Sequence, residues 1–179
     1  MSNLTGPGII PEKVVNYMMY VDGNRSLTAL VDADLPDIQF MSETISGAGI
    51  AGEIESTTLG HIQAMTLGIN FRALIDENYN MLEQRAYAIE LKAGLQSSDQ
   101  TNGQLKTGKY RIMVKGFPKG FNQGKLSVGK PTDSKQEFSV NYMKVEYDGK
   151  EVLEIDKTNM IFKVNGKDYL AEIRSAMGI

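Results

Sequence analysis

The chain has 179 residues, of which 41% are hydrophobic and 23% charged, the balance of a folded globular chain and not of a disordered or coiled-coil one. It has no cysteine and one histidine, His61, which excludes disulfides, thiolate chemistry and a zinc or iron site built on clustered Cys and His. The formal net charge of −3 hides a split: residues 1–90 carry 4 basic and 12 acidic side chains, residues 91–179 carry 15 and 10. Opposite charge on two parts of one subunit suits a protein that stacks on copies of itself. No stretch reaches the roughly 18 apolar residues of a membrane span, and residues 1–11 lack the basic flank and apolar run of a signal peptide, so a soluble product without a membrane anchor is expected.

In chain order, residues 14–21 (VVNYMMYV) are β-branched, aromatic and methionine-rich and run into Asp22-Gly23-Asn24, a hairpin turn, with a return strand over 27–31. Ile38 and Phe40 then alternate with polar residues, the period of a two-faced strand. Residues 47–58 are small and glycine-rich, then acidic, and read as the tip of a long hairpin whose second arm is 62–73, with Met65, Leu67, Ile69 and Phe71 on one side. Such a hairpin, spanning about 35–73, exceeds the usual strand length of about five or six residues and needs another chain to lean on. A short helix is expected over 76–84 with Asp76 as its N-cap, a strand over 85–96, a polar turn over 97–103 and a strand over 110–115. A glycine- and lysine-rich run follows as strand edge or loop. Residues 138–147 (FSVNYMKVEY) form the clearest strand, turned back by Asp148-Gly149 into 151–155. After Asn165-Gly166, residues 168–177 space Tyr169, Leu170, Ile173 and Met177 as a closing helix. Seven to nine strands with two short helices predict a mainly β, antiparallel sandwich or barrel in a single domain over residues 1–179.

Three motifs offer chemistry. Residues 47–52 read G-A-G-I-A-G, a formal dinucleotide fingerprint, but no amphipathic helix follows, and Glu53 and Glu55 would repel a pyrophosphate. Eight basic residues between Lys106 and Lys135, against the single acid Asp133, could contact nucleic-acid phosphates as a DNA-coating protein does. His61 near Glu53 and Glu55 could pair a base with an orienting carboxylate, yet no motif supplies a nucleophile. The bland readings are a hairpin tip, a solvated or protein-binding face and a structural histidine. They leave no enzyme, metal or cofactor to expect.

Other motifs point to a family. Pro11-Glu12-Lys13 ahead of the first strand, Asp22-Gly23, and Ser46-Gly47-Ala48-Gly49-Ile50-Ala51-Gly52 stand at the start and centre. Near the end come Asp148-Gly149-Lys150-Glu151-Val152-Leu153-Glu154-Ile155-Asp156, then Asn159-Met160-Ile161, then Lys163-Val164-Asn165-Gly166-Lys167-Asp168, and a last helix closing at Gly178. In these the sequence resembles the major tail tube proteins of contractile-tailed bacteriophages and of phage-tail-like bacteriocins, matching only loosely between residues 73 and 138. The resemblance implies a virion protein assembled in the host cytoplasm: a subunit of hexameric rings that stack into a hollow tube, which passes DNA or, in a bacteriocin, only punctures an envelope. It implies as partners the chain itself, a tail sheath protein, a tape measure protein, and baseplate and terminator proteins, with DNA only in transit. On this reading Gly47, Gly49 and Gly52 form an inter-subunit hairpin tip. Asp37, Glu43, Glu53 and Glu55 are candidate lumen-facing acids that would repel passing phosphates. Lys115, Lys119 and Lys125 are candidate contacts for stacking or for the sheath.

Overall fold

Apolar residues at every second position favour extended backbone, and the computed structural model, which describes residues 6–25 and 30–179, is built mainly of antiparallel strands. In chain order the elements are β1 (Ile9–Val21), β2 (Asn24–Arg25), β3 (Leu30–Asp34), β4 (Phe40–Ile45), β5 (Ile54–Ile62), β6 (Met65–Phe71), the helix α1 (Asp76–Asn80), β7 (Tyr87–Asp99), β8 (Gln104–Asn122), β9 (Ser134–Tyr147), β10 (Lys150–Asp156), β11 (Ile161–Val164), β12 (Lys167–Asp168) and the helix α2 (Ala171–Met177). The expected mainly β class holds. Strands number twelve among the described residues, above the expected seven to nine, because very short ones such as β2 and β12 carry no periodicity to read.

One sheet runs in the order β12-β11-β10-β9-β8-β7-β1-β2, while β6 pairs with β9 and carries β3 on its other side. The sheet therefore forks at β9. Residues 134–140 of β9 pair with β6, residues 142–147 pair with β10, and β8 runs along the opposite edge of both halves. The fork coincides with a bulge: Lys115 pairs with Tyr142 but Gly116 pairs with Val140, leaving Asn141 as the extra residue. Buried positions 134, 136, 138 and 140 accordingly give way to 143 and 145. Without the bulge, strict period-two alternation would turn Met143 and Val145 outward. Both halves of β9 thus feed one core, where Leu67, Ile69, Val114, Phe138 and Ile155 are essentially solvent-free, each such burial contributing roughly 1.5–3 kcal/mol.

Several boundaries differ from expectation. The hairpin is β4 with β5, registering Thr44 with Glu55 and Ile45 with Ile54; the segment expected as its second arm, 62–73, is instead mostly β6, a strand of the main sheet. The alternation of Met65, Leu67, Ile69 and Phe71 marks a buried face, but period alone does not name the partner strand. Of the return strand expected over 27–31, residues 27–29 lie outside the described residues, and Leu30 opens β3. Helix α1 ends at Asn80 and its N-cap is Ile75, not Asp76, with the Asn78 side chain accepting the Ile75 N–H at 2.9 Å. Strand β7 continues through residues 97–99 of the expected turn, and β8 through the glycine- and lysine-rich run to Asn122. Helix α2 begins only at Ala171, so Tyr169 and Leu170 precede it, and of the four spaced apolar residues only Leu170 is buried, Ile173 and Met177 being exposed.

Candidate assembly surfaces

The β4–β5 hairpin is paired only within itself, and Met41, Ile45, Ile54 and Leu59 are exposed on it. Gly47, Gly49 and Gly52 lie in the connection between its strands. Gly49 and Gly52 have φ of +93° and +126°, conformations that side chains rarely adopt, whereas Gly47 has ordinary backbone, and a Cβ at any of the three would meet nothing within 4 Å. Two antiparallel strands with no helix after the glycines cannot seat a pyrophosphate, so the fingerprint reading fails on geometry. Register also separates the acids: Glu43 shares a face with Ile45, Ile54 and Ser56, while Glu55 lies on the other with Thr44 and accepts the Ser42 hydroxyl. Those two carboxylates cannot line one surface through the same hairpin face. Asp37 precedes β4 and accepts the Gln39 amide at 2.6 Å, and Glu53 precedes β5. His61 is exposed near the base of β5, about 20 Å along the strand from Glu55, too far for a base and its orienting carboxylate.

The hairpin base is seated on the C-terminal elements, a contact with no signature in the sequence. Phe40 meets Phe162 of β11 edge-on with ring centroids 5.5 Å apart. Gly60, at φ +65°, approaches Leu170 so closely that a Cβ would come within 2.6 Å of its side chain. The Lys157 ammonium donates to the Gln63 carbonyl at 2.6 Å, and burial lowers its pKa. Leu170 is held in turn by Asp168, which accepts its N–H at 3.0 Å and the Arg174 guanidinium at 2.7 Å. Arg174 is the main cause holding the Asp168 carboxyl below its ordinary value. A depressed folded pKa contributes stability that is present above the unfolded value near 4 and lost as pH falls through the folded one. Asp168→Asn is therefore expected to flatten the dependence of Tm on pH below about 5, measured by circular dichroism, while leaving the neutral-pH fold intact. An unchanged acid limb would remove this clamp from the account.

On the opposite side of the sheet, the 13-residue β1 pairs with β7, and among the described residues its other edge carries only β2, at Tyr20 and Val21, leaving the rest of it an edge. Ile10, Val14, Val15 and Met18 are all exposed on it. Residues 104–108 of β8 pair only with β7, so β1, β7 and β8 extend past β9 as a three-stranded ribbon. A long edge with free N–H and C=O groups and apolar side chains is a template for pairing with another chain. The signal was present in the sequence as apolar residues at both parities, Ile9 and Ile10, Val14 and Val15, which no single buried face can absorb.

The basic segment does not present eight free cations. Lys106 pairs with Asp99 at 2.7 Å and Lys135 with Asp34 at 2.8 Å, and Arg111 bridges Glu90 and Glu146. Lys144 extends the ladder by joining Glu146 to Glu151 of β10. Acids thus pair three of the eight cations, Lys106, Arg111 and Lys135, so the segment is not the uninterrupted basic surface that a DNA coat would use. Lys115 lies over the Tyr142 ring at 5.3 Å. Lys119, the extra residue of a second bulge between Pro118 and Gly120, donates to the Thr66 hydroxyl at 3.0 Å. Lys125 lies beyond β8, where its N–H donates to the Thr132 carbonyl at 2.9 Å. The three lysines thus stand in three settings: Lys115 over Tyr142, Lys119 against Thr66, and Lys125 past the end of β8. Among the described residues no group of His, Asp and Glu could hold a metal ion.

The family described as phage tail tube protein FII matches residues 11–178. The tail tube protein of Escherichia phage P2 is 28% identical, covering 95% of this chain and 99% of that protein. The major tail tube protein of Serratia phage KSP20 is 25% identical, covering 95% and 98%. The fold resembles a chain of the extended sheath-tube complex of the extracellular contractile injection system PVC, with TM-score 0.50, 13% identity and coverage of 76% of this chain and 90% of that one. It also resembles a chain of that system's sheath/tube terminator, with TM-score 0.52, 9% identity and coverage of 76% and 96%. With the match running almost end to end, this chain belongs to the phage tail tube protein FII family.

Proposed function

We propose that this chain is the structural subunit of the inner tube of a contractile phage tail, folding as a single domain and acting by assembly and not by catalysis. The observation that carries the reading is the pair of strand systems with open edges among the described residues, the β4–β5 hairpin and the outer edge of β1 before Tyr20. Each exposes apolar residues that a solitary globular chain has little reason to display together. Six copies close a ring through these edges and the rings stack, so that strand edges become interior strands of a continuous barrel. The tube stands inside a sheath, surrounds a tape measure protein, meets baseplate and terminator proteins at its ends, and is assembled in the host cytoplasm. Asp37, Glu43, Glu53 and Glu55 make the hairpin region acidic; those that face the lumen repel passing DNA. Lys115, Lys119 and Lys125 offer contacts to the next ring or to the sheath.

Negative-stain electron microscopy of the purified protein, with its mass in solution, tests this directly. Hollow tubes or six-subunit rings are the expected result, and a compact monomer at every concentration would overturn self-assembly. The hairpin tip has its own test. Replacing Gly47, Gly49 and Gly52 together by valine is expected to leave the circular dichroism melt of the body nearly unchanged, because the tip packs on nothing within the subunit, while tube formation falls at least about tenfold, about 1.4 kcal/mol per contact step. Tubes of normal yield would exclude the tip from the interface.

A further inference from the structure

Two exposed surfaces of this subunit complement each other. One is the hairpin face bearing Glu43, Ile45 and Ile54, with both isoleucines exposed and no lysine or arginine anywhere in residues 40–62. The other is a groove of about 310 Å³ across β1 and β7, where Val15, Tyr17, Met18 and Gly94 supply apolar walls and Lys92 is the charged lining residue. The groove has local causes. Val14 pairs with Leu95 and Asn16 with Gly94, so Val15 is a bulge residue lifted from the ladder, and Gly94 opposite adds no side chain to fill the space. Lys92 is held in the wall by Glu90 at 3.2 Å and lies 4.2 Å from the Tyr20 ring centroid. Glu90 is also held by Arg111, so it does not satisfy Lys92 alone, and an apolar strip with one carboxylate matches an apolar groove with one ammonium.

We propose that the isoleucine-bearing face of the β4–β5 hairpin seats in the β1–β7 groove of a second copy, with Glu43 facing Lys92. The inference rests on the tube reading and adds to it the surface that receives the hairpin. A second copy is the occupant because the hairpin base is fixed on β11 and Leu170, with β10, β9, β8 and β7 between β11 and β1 in the sheet, and the hairpin pairs with no other strand of its own subunit among the described residues. The hairpin's own groove therefore lies across the width of the sheet.

The absence of native cysteine permits a clean test with the full chain carrying Val15→Cys and Ile45→Cys. Under reducing conditions this variant is imaged for tubes or rings; after oxidation it is run on a non-reducing denaturing gel beside the two single-cysteine chains. The expected result is tubes, then a ladder of covalent multimers from the double variant alone. Tubes followed by monomer bands, or by a fast-migrating monomer with an internal disulfide, would overturn this seat and leave the tube reading standing. Absence of rings and tubes from the wild-type chain as well would sink both. Opposition of Glu43 and Lys92 is read separately: Glu43→Lys and Lys92→Glu should each reduce tube yield about tenfold at low salt, and the double swap should recover most of it. A double swap no better than either single change would remove that pair.

Discussion

Gly116→Val is expected to destabilise the folded subunit by about 3 kcal/mol or more. The Asn141 bulge pushes the backbone of β9 toward β8, and a Cβ at position 116 would lie 2.3 Å from the Ser139 carbonyl oxygen and 3.4 Å from the Val140 Cα. These are backbone atoms in a paired strand, so neither rotates away as a side chain would. Gly120, four residues along the same strand, is the control: the nearest atom to its Cβ would be a Glu137 carboxylate oxygen at 3.8 Å. Gly120→Ala should stay within about 1 kcal/mol of wild type in a urea melt. Equal stability of the two variants would show that the bulge is not where the structure places it.

Phe138→Ala is expected to cost about 3–5 kcal/mol, the usual range for removing a buried aromatic ring. The ring is fully buried and meets Tyr87 edge-on at 5.9 Å, in the part of β9 clasped between β6 and β8. Phe117 pairs with Ser139 on the opposite, outward face and is 46% exposed. Phe117→Ala should therefore change stability by no more than about 1 kcal/mol, although it remains available for contact between subunits. The two phenylalanines lie on adjacent strands and differ in which face they occupy, so paired urea melts read the phase of the sheet. Similar losses for both would mean that the buried face has been assigned to the wrong parity.

The class of fold was legible wherever alternation met a turn. Phe138, Val140, Met143 and Val145 before Asp148-Gly149 announced β9 and its hairpin, and the glycine-rich segment announced a tip. Pairing was not legible, because side-chain period fixes which residues share a face and says nothing of which strand lies alongside. That is why residues 65–71 were expected to pair within the hairpin and instead join β9. The bulge at Asn141 escaped for a related reason: a one-residue slip looks like a lapse in alternation until a partner strand is known. Of the candidate site, the tip glycines and the lysines could be located, but the seat of the hairpin on Phe162 and Leu170 joins positions more than a hundred residues apart and leaves no local pattern. The charge split was real in composition but is not one unbroken patch, since Lys106, Arg111 and Lys135 are paired with Asp99, Glu90 and Asp34, acids whose positions follow only from the strand register.

That seat also sets a timetable for synthesis. The hairpin residues leave the ribosome early, yet Phe162 and Leu170, on which the hairpin base rests, are among the last to be made. At translation speeds of about 5–20 residues per second, this interval is on the order of ten seconds. During it, the nascent chain carries its tip without the platform that fixes its angle. On the proposed assembly, an arm that is aimed only when the chain is finished would withhold correctly oriented contacts from polysome-bound neighbours, so that polymerisation would begin among completed subunits.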